Sequence, residues 1–391
     1  MLTSIAIIFL FGLVLGSVFN KLKLPSLLGM IITGIVISPY AFNMLDSSIL
    51  LISADLRKAA LVIILTRAGL TLDIEDLKKV GRPAILMCFV PACFEIGAVV
   101  LIGTQVFEMS VLDTAIMGSV IAAVSPAVVV PRMIRLIDEG YGKEHSIPQL
   151  ILAGASVDDV FVIVIFTALI SLASGEHVSI MSFIQIPISI VVGILIGIIA
   201  GLGLTKVFRS YHMRDSVKVI ILLSVSFLLL ECEKRLDGIV PMSGLLAVMS
   251  TGITIYQSAR EVASRLSIKY NKLWIAAEVL LFVLVGATVD IRYAIEAGVV
   301  AIIIVLGALL FRMLGVFTCL IKTKLSVKEK IFCMVAYTPK ATVQAAIGSI
   351  PLAMALPCGQ QVLTVAVMSI LITAPFGAIC MDNSYKKLLQ K

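Results

Sequence analysis

Apolar runs of roughly twenty residues recur from one end of the chain to the other, the length a helix needs to cross about 30 Å of hydrocarbon. Charged and Pro/Gly-rich breaks separate them into about thirteen predicted spans, near 1–19, 26–44, 52–71, 83–106, 111–134, 147–172, 181–206, 216–231, 240–257, 271–290, 296–321, 329–353 and 360–380. Backbone amides in hydrocarbon must be paired within each segment, so the spans are expected to be helices and the chain an all-α polytopic membrane protein.

Composition agrees. Of 391 residues, 60% are hydrophobic and 14% charged, with a mean hydropathy of +1.11, whereas a soluble domain is about half apolar and a quarter charged. The net charge of +7 raises the question of nucleic acid, and the placement of the basic residues answers it. The connections after odd-numbered spans, together with the segment after the last one, hold 23 of the 31 Lys and Arg; the opposite side holds Arg57, Lys58, Lys234, Arg235 and Arg292. Basic residues gather on the cytoplasmic side of a cell (inner) membrane, which puts the N-terminus outside and the C-terminus inside and leaves no need for a nucleic-acid partner. Met1–Gly16 lacks a basic n-region and is read as the first span rather than a signal peptide. No sizeable soluble domain and no cofactor are expected. The seven cysteines have no metal-ligand spacing and are read as small core residues.

An internal repeat organises the spans. Ala68–Ile74 (Ala-Gly-Leu-Thr-Leu-Asp-Ile) and Val285–Ile291 (Val-Gly-Ala-Thr-Val-Asp-Ile) match at an offset of 217, and the same offset relates Glu95 to Arg312. Ser125-Pro126 and Thr338-Pro339 interrupt the fifth and twelfth spans, and Pro25 and Pro241 open the second and ninth. Corresponding spans lie seven apart, so the second copy enters the membrane upside down. Residues 1–172 are read as repeat one, 181–206 as a linker helix and 216–380 as the inverted repeat two, within a single membrane-embedded unit. Broken helices at matching places mark the transport site of such proteins, because freed backbone groups are tolerated only against protein or a water-filled cavity.

Six ionisable groups stand out inside the spans, each costly enough to count as a functional candidate. Asp158 and Asp159 are sequence neighbours in the sixth span. Adjacent carboxylates in low dielectric resist ionising together, and a hard cation prefers oxygen ligands, which the pair and the hydroxyls of Ser156, Ser125 and Thr338 supply. A site that takes either protons or a sodium or lithium ion is already an exchanger. Glu95 and Arg312, at repeat-equivalent positions, are expected to form a core ion pair. Lys340 follows the second break and is assigned to offset the carbonyl end of a broken helix. Arg67 either snorkels or joins the site. Gly193, Gly197 and Gly201 form a small-residue stripe suited to close helix packing. The three histidines fall in predicted loops without clustering.

Five segments carry a family resemblance: Thr66-Arg67-Ala68-Gly69-Leu70, Ser125-Pro126-Ala127-Val128-Val129-Val130-Pro131, Gly140-Tyr141-Gly142, Ser156-Val157-Asp158-Asp159 and Pro339-Lys340-Ala341-Thr342-Val343-Gln344-Ala345-Ala346-Ile347-Gly348. They resemble the sodium/hydrogen exchanger domain family of the cation:proton antiporter superfamily, over nearly the whole chain. The resemblance implies a thirteen-helix antiporter with a core domain and a dimerisation domain, working as a homodimer in membrane lipid by an elevator-like shift. It makes Asp159, the second aspartate, the principal cation ligand. It also implies that two-aspartate members often move charge, although Arg312 stands where several electrogenic relatives have lysine.

The expected function is therefore sodium or lithium/proton antiport, electrogenic, serving pH homeostasis and not enzymatic. Potassium/proton exchange on the same fold and electroneutral exchange are the alternatives. An intramembrane aspartyl protease needs two aspartates from separate helices, which Asp158 and Asp159 are not.

Overall fold

The computed structural model describes residues 1–72, 81–174, 180–236, 240, 242–290, 292 and 298–391, and of residues 156, 174 and 180–187 the backbone alone. Among the described residues every regular element is a helix. In chain order these are α1 (Leu2–Lys21), α2 (Ser26–Ile37), α3 (Ser47–Leu51), α4 (Ser53–Gly69), α5 (Arg82–Met87), α6 (Val90–Val106), α7 (Val111–Ile121), α8 (Pro126–Glu139) and α9 (Ile147–Ser174). They continue as α10 (Ile180–Ser210), α11 (Asp215–Leu236), α12 (Gly244–Ser258), α13 (Arg260–Ala287), α14 (Gly298–Cys319), α15 (Val327–Ala336), α16 (Thr342–Ile347), α17 (Ile350–Ala353) and α18 (Gly359–Leu388).

Eight helical stretches among the described residues are long and apolar enough to cross a membrane. The remaining predicted spans meet shorter, interrupted or more charged helices. The span near 26–44 yields only α2, because Ser38 precedes Pro39 and is driven extended, with ψ 161°. In the other direction, α13 starts well before the span expected near 271–290. Ala263, Leu266 and Tyr270 fall on its buried face while Arg260, Arg265 and Lys269 are exposed, so the charged stretch read as a connection is an amphipathic helix. Of the repeat markers, Asp73, Ile74, Pro241 and Ile291 lie outside the described residues.

The chain divides into two compact units. Unit 1 comprises Met1–Ala54, Glu75–Leu169 and Val279–Lys391. Within it α1 packs on α2, α6 runs along α14 and α7, and α18 backs α15, α14 and α7. The α6–α14 approach is close enough that a Cβ on Gly315 would sit 2.8 Å from Pro91 Cα. That contact brings Arg312, one turn earlier on α14, level with Glu95 on α6.

Unit 2 comprises Asp55–Ile74 and Ile170–Glu278. Its glycine stripe seats α10 against α12: Gly193 meets Ser243, Gly197 meets Ala247 and Gly201 meets Thr254, and Thr251 Oγ1 donates to the Gly197 carbonyl at 3.2 Å. The stripe thus serves packing within the chain. On the opposite face of α10, Val191, Leu195, Ile199 and Leu202 are exposed, as a helix side wetted by lipid should be.

Candidate functional site

Two interruptions build the site, both in unit 1. The first lies between α7 and α8. Pro126 occupies the first turn of α8, where its missing N–H costs nothing, and Ser125 before it is extended (φ −90°, ψ 110°). The second lies between α15 and α16, where residues 337–341 contain Thr338-Pro339 and leave the helix. Freed backbone groups from the two breaks meet each other: Ser125 N donates to the Pro339 carbonyl at 2.7 Å. Gln344, on α16, donates Nε2 to the carbonyls of Ala123 at 2.9 Å and Ile121 at 3.3 Å. Lys340 N donates to Thr373 Oγ1 of α18 at 2.9 Å.

Four buried charges fill the space around the breaks. Arg312, fully buried, donates Nη1 to Glu95 Oε2 at 2.8 Å and Nη2 to Asp158 Oδ2 at 2.7 Å. Its Nε donates to the Tyr337 carbonyl at 2.7 Å, and Nη1 also reaches the Ala122 carbonyl. Lys340 Nζ donates to Glu95 Oε2 at 2.6 Å. Asp158 Oδ2 takes a further hydrogen bond, 2.8 Å, from Val124 N in the first break. Two carboxylates and two cations are therefore matched, the arrangement in which buried charge is tolerable. Asp159 is not part of that set. Among the described residues its buried Oδ1 has no hydrogen-bond partner, and neither do Asp158 Oδ1, Ser125 Oγ, Thr342 Oγ1 and Gln344 Oε1.

The sequence-derived residues fall out as follows. Glu95, Arg312, Lys340, Asp158 and Ser125 come together through the contacts just given. Asp159 adjoins them as Asp158's neighbour on α9. Thr338 lies in the second break with its hydroxyl donating back to Val335 O at 2.8 Å, leaving its lone pairs free to act as a ligand. The Ser156 side chain lies outside the described residues. Arg67 belongs to unit 2, where its electrostatic partner is Glu278 of α13. His145, read as a loop histidine, bridges by Nδ1 to Glu329 Oε1 at 3.0 Å.

Sequence reasoning missed three things here. Tyr337, which organises Arg312, carries no charge to mark it, and Gln344, which organises the first break, stands in the family segment with no role of its own. Glu278 was legible, an acid inside the predicted span 271–290, and was passed over.

Interrupted helices meeting around buried acids and bases belong to membrane transporters that carry small ions. The sequence matches the family described as "Sodium/hydrogen exchanger, transmembrane" over residues 5–381, and the chain belongs to that family. Sodium/hydrogen exchanger 9B2 of Homo sapiens is 31% identical over 415 residues, covering 100% of this chain and 75% of that protein. Sodium/hydrogen exchanger 9B1 of Homo sapiens is 30% identical over 415 residues, covering 100% and 78%. The solved structure of the sodium proton antiporter MjNhaP1 from Methanocaldococcus jannaschii at pH 8 superposes with a TM-score of 0.87 at 19% identity, covering 98% of this chain and 97% of that one. At that identity the likeness establishes a shared fold. The chain is thus an integral membrane protein with the fold of a cation/proton antiporter.

Proposed function

We propose that this chain exchanges sodium or lithium for protons at a buried site whose principal ligand is Asp159, with Asp158, Ser125, Thr338 and Ser156 as further oxygen donors. One observation carries the reading: Asp158 is matched by Arg312 and Val124 N, whereas Asp159 Oδ1 is buried with no partner among the described residues. A buried carboxylate without a fixed cation must hold either a proton or a mobile one, and a hard monovalent ion suits oxygen ligands. Alternating occupancy by the two is the exchange. The protein works in membrane lipid as a homodimer, N-terminus outside and C-terminus cytoplasmic, in the service of pH homeostasis.

The contact between Arg312 and Asp158 favours a second reading of stoichiometry. A guanidinium stays protonated at any relevant pH, and its bond to Asp158 favours the carboxylate form of that residue. Asp159 alone then trades its proton, which supports electroneutral one-for-one exchange over the electrogenic expectation.

Proteoliposomes test all of this. Asp159→Asn should abolish sodium- and lithium-driven proton movement while the protein stays folded and inserted; retained exchange overturns the assignment. In the unmodified chain the half-saturating sodium concentration should rise as pH falls, because protons occupy the same oxygens. A response to potassium instead of sodium would replace the ion, and a rate that follows an imposed voltage would restore the electrogenic stoichiometry.

A further inference from the structure

Tyr337 is among the largest fully buried side chains, and among the described residues its hydroxyl has no hydrogen-bond partner. Its surroundings are specific. The carbonyl of Tyr337 accepts from Arg312 Nε at 2.7 Å, and the face of its ring lies 5.5 Å from the Arg312 guanidinium carbon. One residue therefore holds the guanidinium twice, once by the backbone of the second break and once by the ring. At its far end the phenol enters α9 at Gly154, where a Cβ would overlap the hydroxyl oxygen and lie 3.2 Å from Cζ and 3.1 Å from Met87 Cβ. Gly154 stands one turn before Asp158 on the same face of α9.

We propose that Tyr337 is a positioning residue for the exchange reaction: seated in the gap left by Gly154, it fixes Arg312 against Asp158 and so determines how strongly the site attracts its cation. The proposal rests on the reading of Asp158 and Asp159 as the ion site. Arg312 has no freedom to drift from Asp158 while its Nε is held by the Tyr337 carbonyl and its plane is backed by the ring. Removing the ring keeps the carbonyl and the charge and removes only the backing. Arg312 then spends less time against Asp158, whose charge adds to the ligands of the incoming cation, so the cation is held more tightly.

The test measures the half-saturating sodium concentration and the maximal rate of the full chain in proteoliposomes at alkaline pH, where protons compete least, with thermal melting alongside. Tyr337→Phe keeps the ring and should match the unmodified protein in both parameters. Tyr337→Leu should lower the half-saturating sodium concentration by about threefold or more. A role confined to packing would lower the melting temperature and the amount of folded transporter without moving that concentration. Gly154→Ala should be strongly impaired through overlap with the hydroxyl, and adding Tyr337→Phe should restore part of the loss, because the phenol oxygen is the severest overlap while Met87 Cβ and Cζ stay close.

An unchanged or raised sodium concentration in Tyr337→Leu overturns the proposal. So does a Phe variant that behaves like Leu, or a Gly154→Ala defect that Tyr337→Phe leaves untouched. If Tyr337→Leu fails to fold, Tyr337→Met, which fills the space without presenting a ring face, carries the decision by the same fall in half-saturating sodium concentration. Asp159→Asn run in parallel separates the two readings. Exchange surviving in that variant removes the site assignment, whereas its loss with inert Tyr337 variants removes the role of Tyr337 alone.

Discussion

The interior of unit 1 and the α10–α12 seam of unit 2 solve the same problem, bringing helices together within an apolar solvent, by opposite means. Around the broken helices the junction is made of charge: Glu95, Asp158, Arg312 and Lys340, tied to backbone from both breaks. Along α10 it is made of the absence of side chains, with Gly193, Gly197 and Gly201 letting α12 approach its backbone. Lipid offers no hydrophobic drive between helices, so packing and internal polar contacts must supply it. The glycine seam leaves little that must be compensated when conditions change. The charged junction depends on matched partners, and Asp159 beside it has none among the described residues, which is why the proposed exchange chemistry is placed in unit 1.

Removing Arg312 should have the largest effect. Arg312→Ala leaves Glu95 and Asp158 buried with only Lys340 between them, at a cost of about 3–5 kcal/mol, read by thermal melting in detergent. An isolated Glu95–Arg312 pair would tolerate exchanging its partners. Because Arg312 also donates to Asp158, the double swap Glu95→Arg with Arg312→Glu would set a new carboxylate against Asp158, and no recovery is expected. Stability regained in the swap would show that the second contact carries little.

Gly197→Ala probes the other junction. The added methyl would run into the Ala247 carbonyl, a rigid backbone atom, so a loss of about 1–3 kcal/mol is expected with the half-saturating sodium concentration unchanged per folded molecule. A shift in that concentration would mean the seam takes part in the ion site's energetics. Thr251→Val should do least. Its hydroxyl hydrogen-bonds Ala247 O at 2.7 Å and Gly197 O at 3.2 Å, and hydrogen bonds between membrane helices average about 0.6 kcal/mol. A loss as large as that of Gly197→Ala would make the seam polar rather than steric.

Much of this was legible in the sequence, and the illegible part has a pattern. The helical class, the interruptions at Ser125-Pro126 and Thr338-Pro339 and the unusual buried charges were readable, because proline geometry and the cost of charge in lipid act on the residue itself. Helix lengths were less so. Arg260, Arg265 and Lys269 looked like a connection because charge density was weighed above the period of Ala263, Leu266 and Tyr270. The roles of Gln344 and Tyr337 are opaque for a different reason: both are uncharged, and what they do depends on carbonyls and a guanidinium contributed by distant parts of the chain, although Gln344 itself stands in the family segment.

By itself the sequence determined that this chain lies in a membrane as helices, that two of them are broken, and that Glu95, Asp158, Asp159, Arg312 and Lys340 are charges inside spans, with Arg67 undecided. Those properties follow from local composition, from the missing N–H of proline and from the price of a charge in hydrocarbon. Tertiary structure decided the partners. Glu95 is shared by Arg312 and Lys340, and Asp158 Oδ2 is taken by Arg312 and by the amide of Val124, while Asp159 has no hydrogen-bond partner among the described residues. Pairing among buried charges depends on distances of a few ångströms between segments as far apart in the chain as residues 95 and 340. No local pattern encodes such distances. They are fixed only when α6, α9, α14 and the two breaks pack together.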